Sequence, residues 1–245
     1  PLNNLIGYGR QLEKAIFKKV NNNYITLSKS EDVYKYYDNL FREHKIYYTR
    51  EFYIIELSGG YASTTTNEVN RYQVTSSSFI TQWYYKEKTI NTQYFNNGLD
   101  SLKTTTNYFY DNLDHLQPTR TEVTNSNGDV IKTETKYAHD INDQILISEH
   151  RIAEPVEVLK YKNDTLLSHQ KTTYNNMRNP SSFYLPLAIQ TSKGTQSLED
   201  RIVYHSYDDK GNPTEVSKKD GTHIVYVWGY NQTQPIAKIE NATIT

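Results

Sequence analysis

The sequence predicts an all-β protein, with stacked antiparallel β-hairpins forming an open, twisted sheet. Three observations predict it. Segments of strand length alternate with turn residues along most of the 245 residues. A Tyr-Asp unit recurs at Tyr37-Asp38, Tyr110-Asp111 and Tyr207-Asp208, the last followed by Gly211-Asn-Pro213. Mean hydropathy is low, at −0.79, while 23 residues are tyrosine, which suits a half-buried pleated surface. A repeated hairpin unit argues for a structural array before any active site is sought.

The elements follow in order. Residues 12–20 and 24–29 read as strands around Asn21-Asn22-Asn23, a turn composition. The second strand runs on toward Tyr37-Asp38. A competing helix starts at Ser30, with Glu31 and Asp32 in its first turn. Residues 45–57 form a strand ending at Gly59-Gly60. Residues 61–78, rich in Ser, Thr and Asn, are expected as a surface loop or ragged edge strand. Phe79–Ile90 and Thr92–Phe95 give a further strand-pair region, closed by the turn Asn96-Asn97-Gly98.

The hairpin at 119–137 is explicit enough to predict its register. A three-residue loop, Ser126-Asn127-Gly128, sets Val123 opposite Ile131 and Thr121 opposite Thr133. The other face then pairs Glu122 with Lys132 and Arg120 with Glu134. Gly128 takes the left-handed position of a bulge, and the face of Lys132, Glu134 and Lys136 is exposed. Two more strands lie in 151–174 around Lys162-Asn163-Asp164. Residues 175–186 form a loop. Strands follow at 187–192, 199–207, 213–219 and 222–230, with Asp220-Gly221 closing the last hairpin. Both faces of 222–228 are apolar. A cover is therefore expected, from Pro235–Glu240 or from chain beyond Thr245.

Composition narrows the function. A formal net charge of −1 carries no basic footprint for nucleic acid or an anionic membrane. There is no cysteine, so disulfides and thiolate metal sites are excluded. No apolar run reaches the roughly 18 residues of a membrane helix. The chain opens on Pro1 and has one methionine, Met177, so it is expected to be an internal piece of a longer polypeptide.

The units Tyr207-Asp208-x-x-Gly211-Asn-Pro213 and Tyr110-Asp111-Asn112 resemble the Tyr-Asp repeats of the RHS/YD-repeat family. The tail from Tyr226-Val-Trp228-Gly-Tyr230 to Glu240 is similar to the version found in gliding bacteria with type IX secretion. The resemblance covers 104–240 well and 1–103 more loosely. Tyr137-Ala-His-Asp140 and Tyr161-Lys-Asn-Asp164 read as degenerate copies. The resemblance implies a divergent strand-rich segment, 1–103, continuous with a YD-repeat hairpin segment, 104–245. It implies a long sheet spiralling into a hollow shell, often around a toxin-like passenger domain. It places the chain in a secreted or cell-surface protein of a bacterial envelope. The implied partners are the rest of its parent chain, an enclosed passenger, or a secretion or surface protein. The family's aspartyl self-cleaving motif has no counterpart after Gly221.

In the repeat unit, tyrosine packs on the next hairpin, aspartate accepts turn amides and glycine supplies positive φ. Tyr37, Asp38, Tyr110, Asp111, Gly128, Tyr207, Asp208, Gly211, Gly221 and Trp228 are therefore structural candidates. No two of the seven histidines have metal-ligand spacing, and no Gly-x-Ser-x-Gly elbow occurs. Asp38, Asp111 and Asp208 read as turn caps. No catalytic, cofactor or metal residue is assigned, and the chain is expected to be a non-catalytic scaffold. The alternative is a surface adhesion or glycan-binding module using Trp83-Tyr84-Tyr85 and Tyr226-Trp228-Tyr230.

Overall fold

The computed structural model describes residues 10–60, 63–125, 127–175 and 183–244. It is all-β. Among the described residues, thirteen strands form one open antiparallel sheet in which each strand neighbours the next in sequence, with no crossover. They are β1 (Glu13–Val20), β2 (Asn23–Gly60), β3 (Ser63–Phe95), β4 (Asp100–Phe109), β5 (Arg120–Thr124), β6 (Val130–Lys136) and β7 (Glu157–Lys162). They continue as β8 (Thr165–Asn175), β9 (Leu185–Lys193), β10 (Glu199–Tyr207), β11 (Pro213–Lys218), β12 (His223–Gly229) and β13 (Gln234–Glu240). Among the described residues one short α-helix, α1 (Gln144–Ser148), and a 3-10 turn at Asn96–Gly98 interrupt them.

The chain divides into two compact units. One holds Pro1–Leu12 and Asp32–Lys86; the other holds Glu13–Glu31 and Glu87–Thr245. These bounds do not coincide with the expected segments 1–103 and 104–245. In the first unit β2 and β3 are joined by side chains. Lys86 pairs with Asp32 at 2.8 Å. Tyr34 stacks on Tyr84 with centroids 5.5 Å apart, and Arg10 lies over both rings.

Residues 30–40 belong to β2, and the alternative helix does not form. Pairing decides between the two, because β1 hydrogen-bonds to β2 as far as Glu31. Residues 63–78 are likewise strand and not loop: β3 is continuous from Ser63 to Phe95. Threonine-rich chain is compatible with a pleat once a partner strand satisfies its amides.

In the second unit two-residue turns are built from asparagine and aspartate. Asn21 and Asn22, and Asn163 and Asp164, all have φ between 46° and 66°. These left-handed values match the twist of the flanking strands. The 119–137 hairpin adopts the predicted register, with Arg120↔Glu134, Thr121↔Thr133, Glu122↔Lys132 and Val123↔Ile131. Gly128 has φ 82°; Ser126 lies outside the described residues. The charged face of β6 is half-buried and not exposed. Lys132 lies over the Tyr161 ring at 4.4 Å and pairs with Glu134, and Lys136 pairs with Glu157 on β7. Of the 175–186 loop, residues 176–182 lie outside the described residues.

The filled core is small. Ala138, Leu146 and Val156 are buried together, with Ile147, Tyr174 and Tyr184 against them. It forms where the β6–β7 connection folds over the sheet. Asp143 caps α1 by accepting from the amides of Ile145 and Leu146, and α1 seats Leu146. This helix was not legible as a period, since five residues are too few to show one. The strand after Asp220-Gly221 is bordered by β13 as a paired neighbour. Its two faces are not both buried: Ile224 is buried and Val227 is exposed.

Candidate functional site

The hairpins are joined by a repeated side-chain device at one edge of the sheet. Strands β5, β7, β9, β11 and β13 each begin within two residues of a proline: Pro118, Pro155, Pro186, Pro213 and Pro235. Strands β6, β8, β10 and β12 each end within two residues of an aromatic: Tyr137, Tyr174, Tyr207 and Trp228. The aromatic donates a hydrogen bond back to the preceding strand's proline. Tyr137 Oη donates to the Pro118 carbonyl at 3.2 Å, Tyr207 Oη to Pro186 at 2.5 Å, and Trp228 Nε1 to Pro213 at 2.9 Å. Tyr174 Oη donates one residue away from Pro155, to Glu154 Oε1 at 2.7 Å.

The same aromatics face the next proline in register. Tyr174 is opposite Pro186, Tyr207 opposite Pro213 and Trp228 opposite Pro235. In all three pairs the register slips by one residue just before the aromatic. Leu187, Thr214 and Ile236 are the extra residues on the proline strand. A bulge bends its strand and re-aims side chains, which places the aromatic over the latch. Proline suits the first position of a strand because no ladder amide is lost there. Burial pushes the Tyr174 and Tyr207 hydroxyls well above the ordinary phenol range, with Glu154 adding to the effect on Tyr174 and Tyr204 on Tyr207.

The turns carry a second repeated geometry. In Asp208–Asn212, the Asp208 amide donates to the Asn212 carbonyl and Gly211 N donates to the Asp208 carbonyl, with Gly211 at φ 83°. Asn125–Asp129 and Lys218–Thr222 make the same two bonds, with Gly128 and Gly221 at φ 82° and 83°. Asp208 Oδ1 accepts the amides of Lys210 and Asn212, and Asn125 Oδ1 accepts those of Asn127 and Asp129. Burial would raise the Asp208 carboxyl, but the Asn212 side chain and amide, with the Lys210 amide, hold it below the usual range.

Turns on the same edge are laced to each other. Asn163 exchanges bonds with Val130 and donates to Asp129 at 2.8 Å, and Lys162 pairs with Asp129. Asn212 donates to the Gln232 carbonyl at 2.9 Å, and Lys210 to that of Asn231.

The other two expected Tyr-Asp units differ. Tyr37-Asp38 lies inside β2, where Tyr37 meets Trp83 at 6.0 Å; the side chain of Asp38 is outside those described. Tyr110-Asp111 follows β4 and opens a ten-residue loop without glycine. There Asp111 accepts from the Thr119 hydroxyl at 2.8 Å and caps no turn amide. The better counterpart of Tyr207 is Tyr137. The proline partners were the missed signal, visible in the spacing of five prolines.

Beside that loop lies an open cavity of about 580 Å³, lined by residues including Asp111, Thr119, Arg120, Lys136, His139 and Asp140. His115 is buried next to it. Its Nδ1 accepts the Gln117 amide at 3.0 Å, so its Nε2 carries the proton and donates to Asp140 at 3.2 Å. Burial would raise the Asp140 carboxyl, but the Tyr137 amide, the Asn112 side chain and His115 hold it below its usual value. Arg120 Nε and His139 Nδ1 are buried without a hydrogen-bond partner. Thr119 Oγ1 is held between Asp111 Oδ2, at 2.8 Å, and the Phe109 carbonyl, at 3.2 Å, and accepts the Asp111 amide. The arrangement orders a loop and offers polar atoms for binding.

The expected aromatic platforms are half-buried in part and exposed in part. Trp83 and Tyr85 stack at 4.8 Å and are half-buried, and Trp228 is committed to Pro213. Tyr230 is 76 % exposed. Among the described residues no group of three His, Asp or Glu side chains is placed to hold a metal, and no helix is long and apolar enough to cross a membrane. Compared with protein-family models and with curated proteins, the chain has no match in either.

Proposed function

We propose that this chain is a non-catalytic scaffold: a stretch of β-wall in a secreted or cell-surface protein of the RHS/YD-repeat type, which encloses or presents a passenger domain. The observation that carries the reading is the aromatic–proline ladder. It runs along β5–β13, where its hydrogen bonds close the open ends of hairpins and Tyr174, Tyr207 and Trp228 stand opposite the next hairpin's proline. A repeat unit of this kind cannot bury its face alone, so stacked neighbours stabilise it. Fractionating the producing cells with an antibody to this chain tests the reading. The expected result is an extracellular or surface signal that co-purifies with a protease-protected passenger. A cytoplasmic signal with no associated passenger refutes it.

A second reading has one observation in its favour. Tyr36, Tyr47, Tyr48 and Tyr72 in the β2–β3 unit are each more than half exposed. Exposed phenol rings suit glycan stacking in an adhesion module. A glycan array, with sugar titration of Trp83 fluorescence, separates the two: saturable quenching supports adhesion, and a flat response at millimolar sugar rejects it.

A further inference from the structure

The loop between β4 and β5 is held in a strained shape. Leu116 has φ 55°, a left-handed value that a leucine adopts only where its surroundings impose it. Its two neighbours impose it. The His115 side chain is fully buried, its Nδ1 accepts the Gln117 amide at 3.0 Å, and the Gln117 side chain donates back to the His115 carbonyl at 3.3 Å. A loop fixed in this way needs no further ordering to receive a ligand. Its two ends, Asp111 and Thr119, line the cavity of about 580 Å³, which lies within the roughly 300–1,000 Å³ of small-molecule sites.

The polar groups of the cavity divide into two sets. Asp140, Lys136 and Glu134 are already matched. Asp140 takes the Tyr137 amide, Asn112 and His115; Lys136 pairs with Glu157, and Glu134 with Lys132. The second set keeps bonding capacity. Asp111 engages the Thr119 hydroxyl through Oδ2 alone, and among the described residues neither its Oδ1 nor the Thr135 hydroxyl has a partner. Arg120 lies over the Phe109 ring at 4.0 Å and reaches Glu122 through Nη1 at 3.5 Å. Its Nε, like His139 Nδ1, is buried without a partner. Buried polar atoms of this kind are uncommon, and two in the lining of one cavity point to a ligand. A free anion there would meet Glu134 and Asp140, and a free cation would meet Lys136. A hydroxyl carries no charge and both gives and takes a hydrogen bond.

We propose that this cavity is a saccharide site, where the hydroxyls of a neutral sugar bond to Asp111 Oδ1, the Thr135 hydroxyl and the Arg120 guanidinium. The site is separate from glycan stacking on the exposed tyrosines of the β2–β3 unit, since all of its residues lie in the other unit.

The probes are the methyl glycosides of glucose, galactose, mannose and N-acetylglucosamine. Each is titrated into the isotope-labelled full chain to tens of millimolar, at low and at high salt, and followed by NMR. At least one is expected to bind saturably and to shift the amides of Leu116, Thr135 and His139, with an affinity that salt leaves unchanged. Thr135→Val and Arg120→Lys are each expected to weaken that binding about fivefold, with circular dichroism showing the sheet retained. Tyr48→Ala, in the β2–β3 unit, is expected to leave it unaltered. Four silent sugars overturn the proposal, as does full-strength binding in both cavity variants. Shifts confined to the β2–β3 unit assign the sugar to the tyrosines and overturn it too. Tighter binding of acetate or methylammonium than of any sugar makes the cavity a charged-ligand site and overturns it as well.

Discussion

The hydroxyl of Tyr207, at the end of β10, is hydrogen-bonded to the carbonyl of Pro186, at the start of β9. Tyr207 is 8 % exposed, so removing the donor strands a carbonyl in a shielded place. Tyr207→Phe keeps the ring and is expected to cost about 1–3 kcal/mol. Tyr230→Phe, at an exposed ring, is expected to change nothing measurable. Urea denaturation of both variants checks the pair, and equal midpoints would remove the latch from the account.

Alkaline pH acts on the same groups. A phenol whose folded pKa is raised contributes stability that is fully present below about pH 10, the unfolded value. It is lost as pH rises from there toward the folded value. Tyr174 and Tyr207 are both raised by burial. The thermal midpoint is therefore expected to hold from pH 8 to 9.5 and fall above pH 10. The Tyr207→Phe variant should show a shallower fall.

Acid acts on the turns. Hydrogen bonds from Lys162, Asn163 and Asn125 bring the Asp129 carboxyl down to about 2. A depressed carboxyl contributes above its unfolded value near 4 and loses that contribution as pH drops toward 2. Exchange of the Gly128 and Asn163 amides is expected to speed up through that window before global unfolding. In Asp129→Asn the amide rates should no longer change there.

Gly229 is required by close approach and not by its φ. A Cβ there would lie 2.6 Å from Ile236 Cγ2, on the bulge residue of β13. Gly229→Ala is expected to destabilise by about 1–3 kcal/mol through overpacking. Adding Ile236→Ala should recover part of the loss, read as a non-zero coupling in a double-mutant cycle.

Leu146 is fully buried and is the main anchor of α1. Leu146→Ala is expected to cost about 2–5 kcal/mol. The loss should be seen first as faster proteolysis within 137–156, with β9–β12 still protected.

The strands were legible because turn residues mark them in the sequence: asparagine pairs at positive φ, and glycine at the third position after an Asp or Asn. The 119–137 register was legible for a second reason, since only one alignment puts opposite charges on one face. Residues 30–40 and 63–78 were harder, because their strand character comes from a partner strand and not from local preference. Tyr207-Asp208 ends a strand and caps a turn, Tyr110-Asp111 opens a long loop, and Tyr37-Asp38 lies inside a strand. Asp38 is not followed by the glycine that stands three residues after Asp208. The Tyr207 hydroxyl's target could not be read from sequence alone. It lies 21 residues away and is a backbone carbonyl, which any residue type carries.

Because a latch needs a proline strand and an aromatic strand, the smallest piece that can be copied or removed is two strands, a step of roughly 9–10 Å along the sheet. Loss of a single strand would reverse the direction of every strand beyond it and send each aromatic to the wrong edge. Length variation in proteins of this build should therefore come in even numbers of strands.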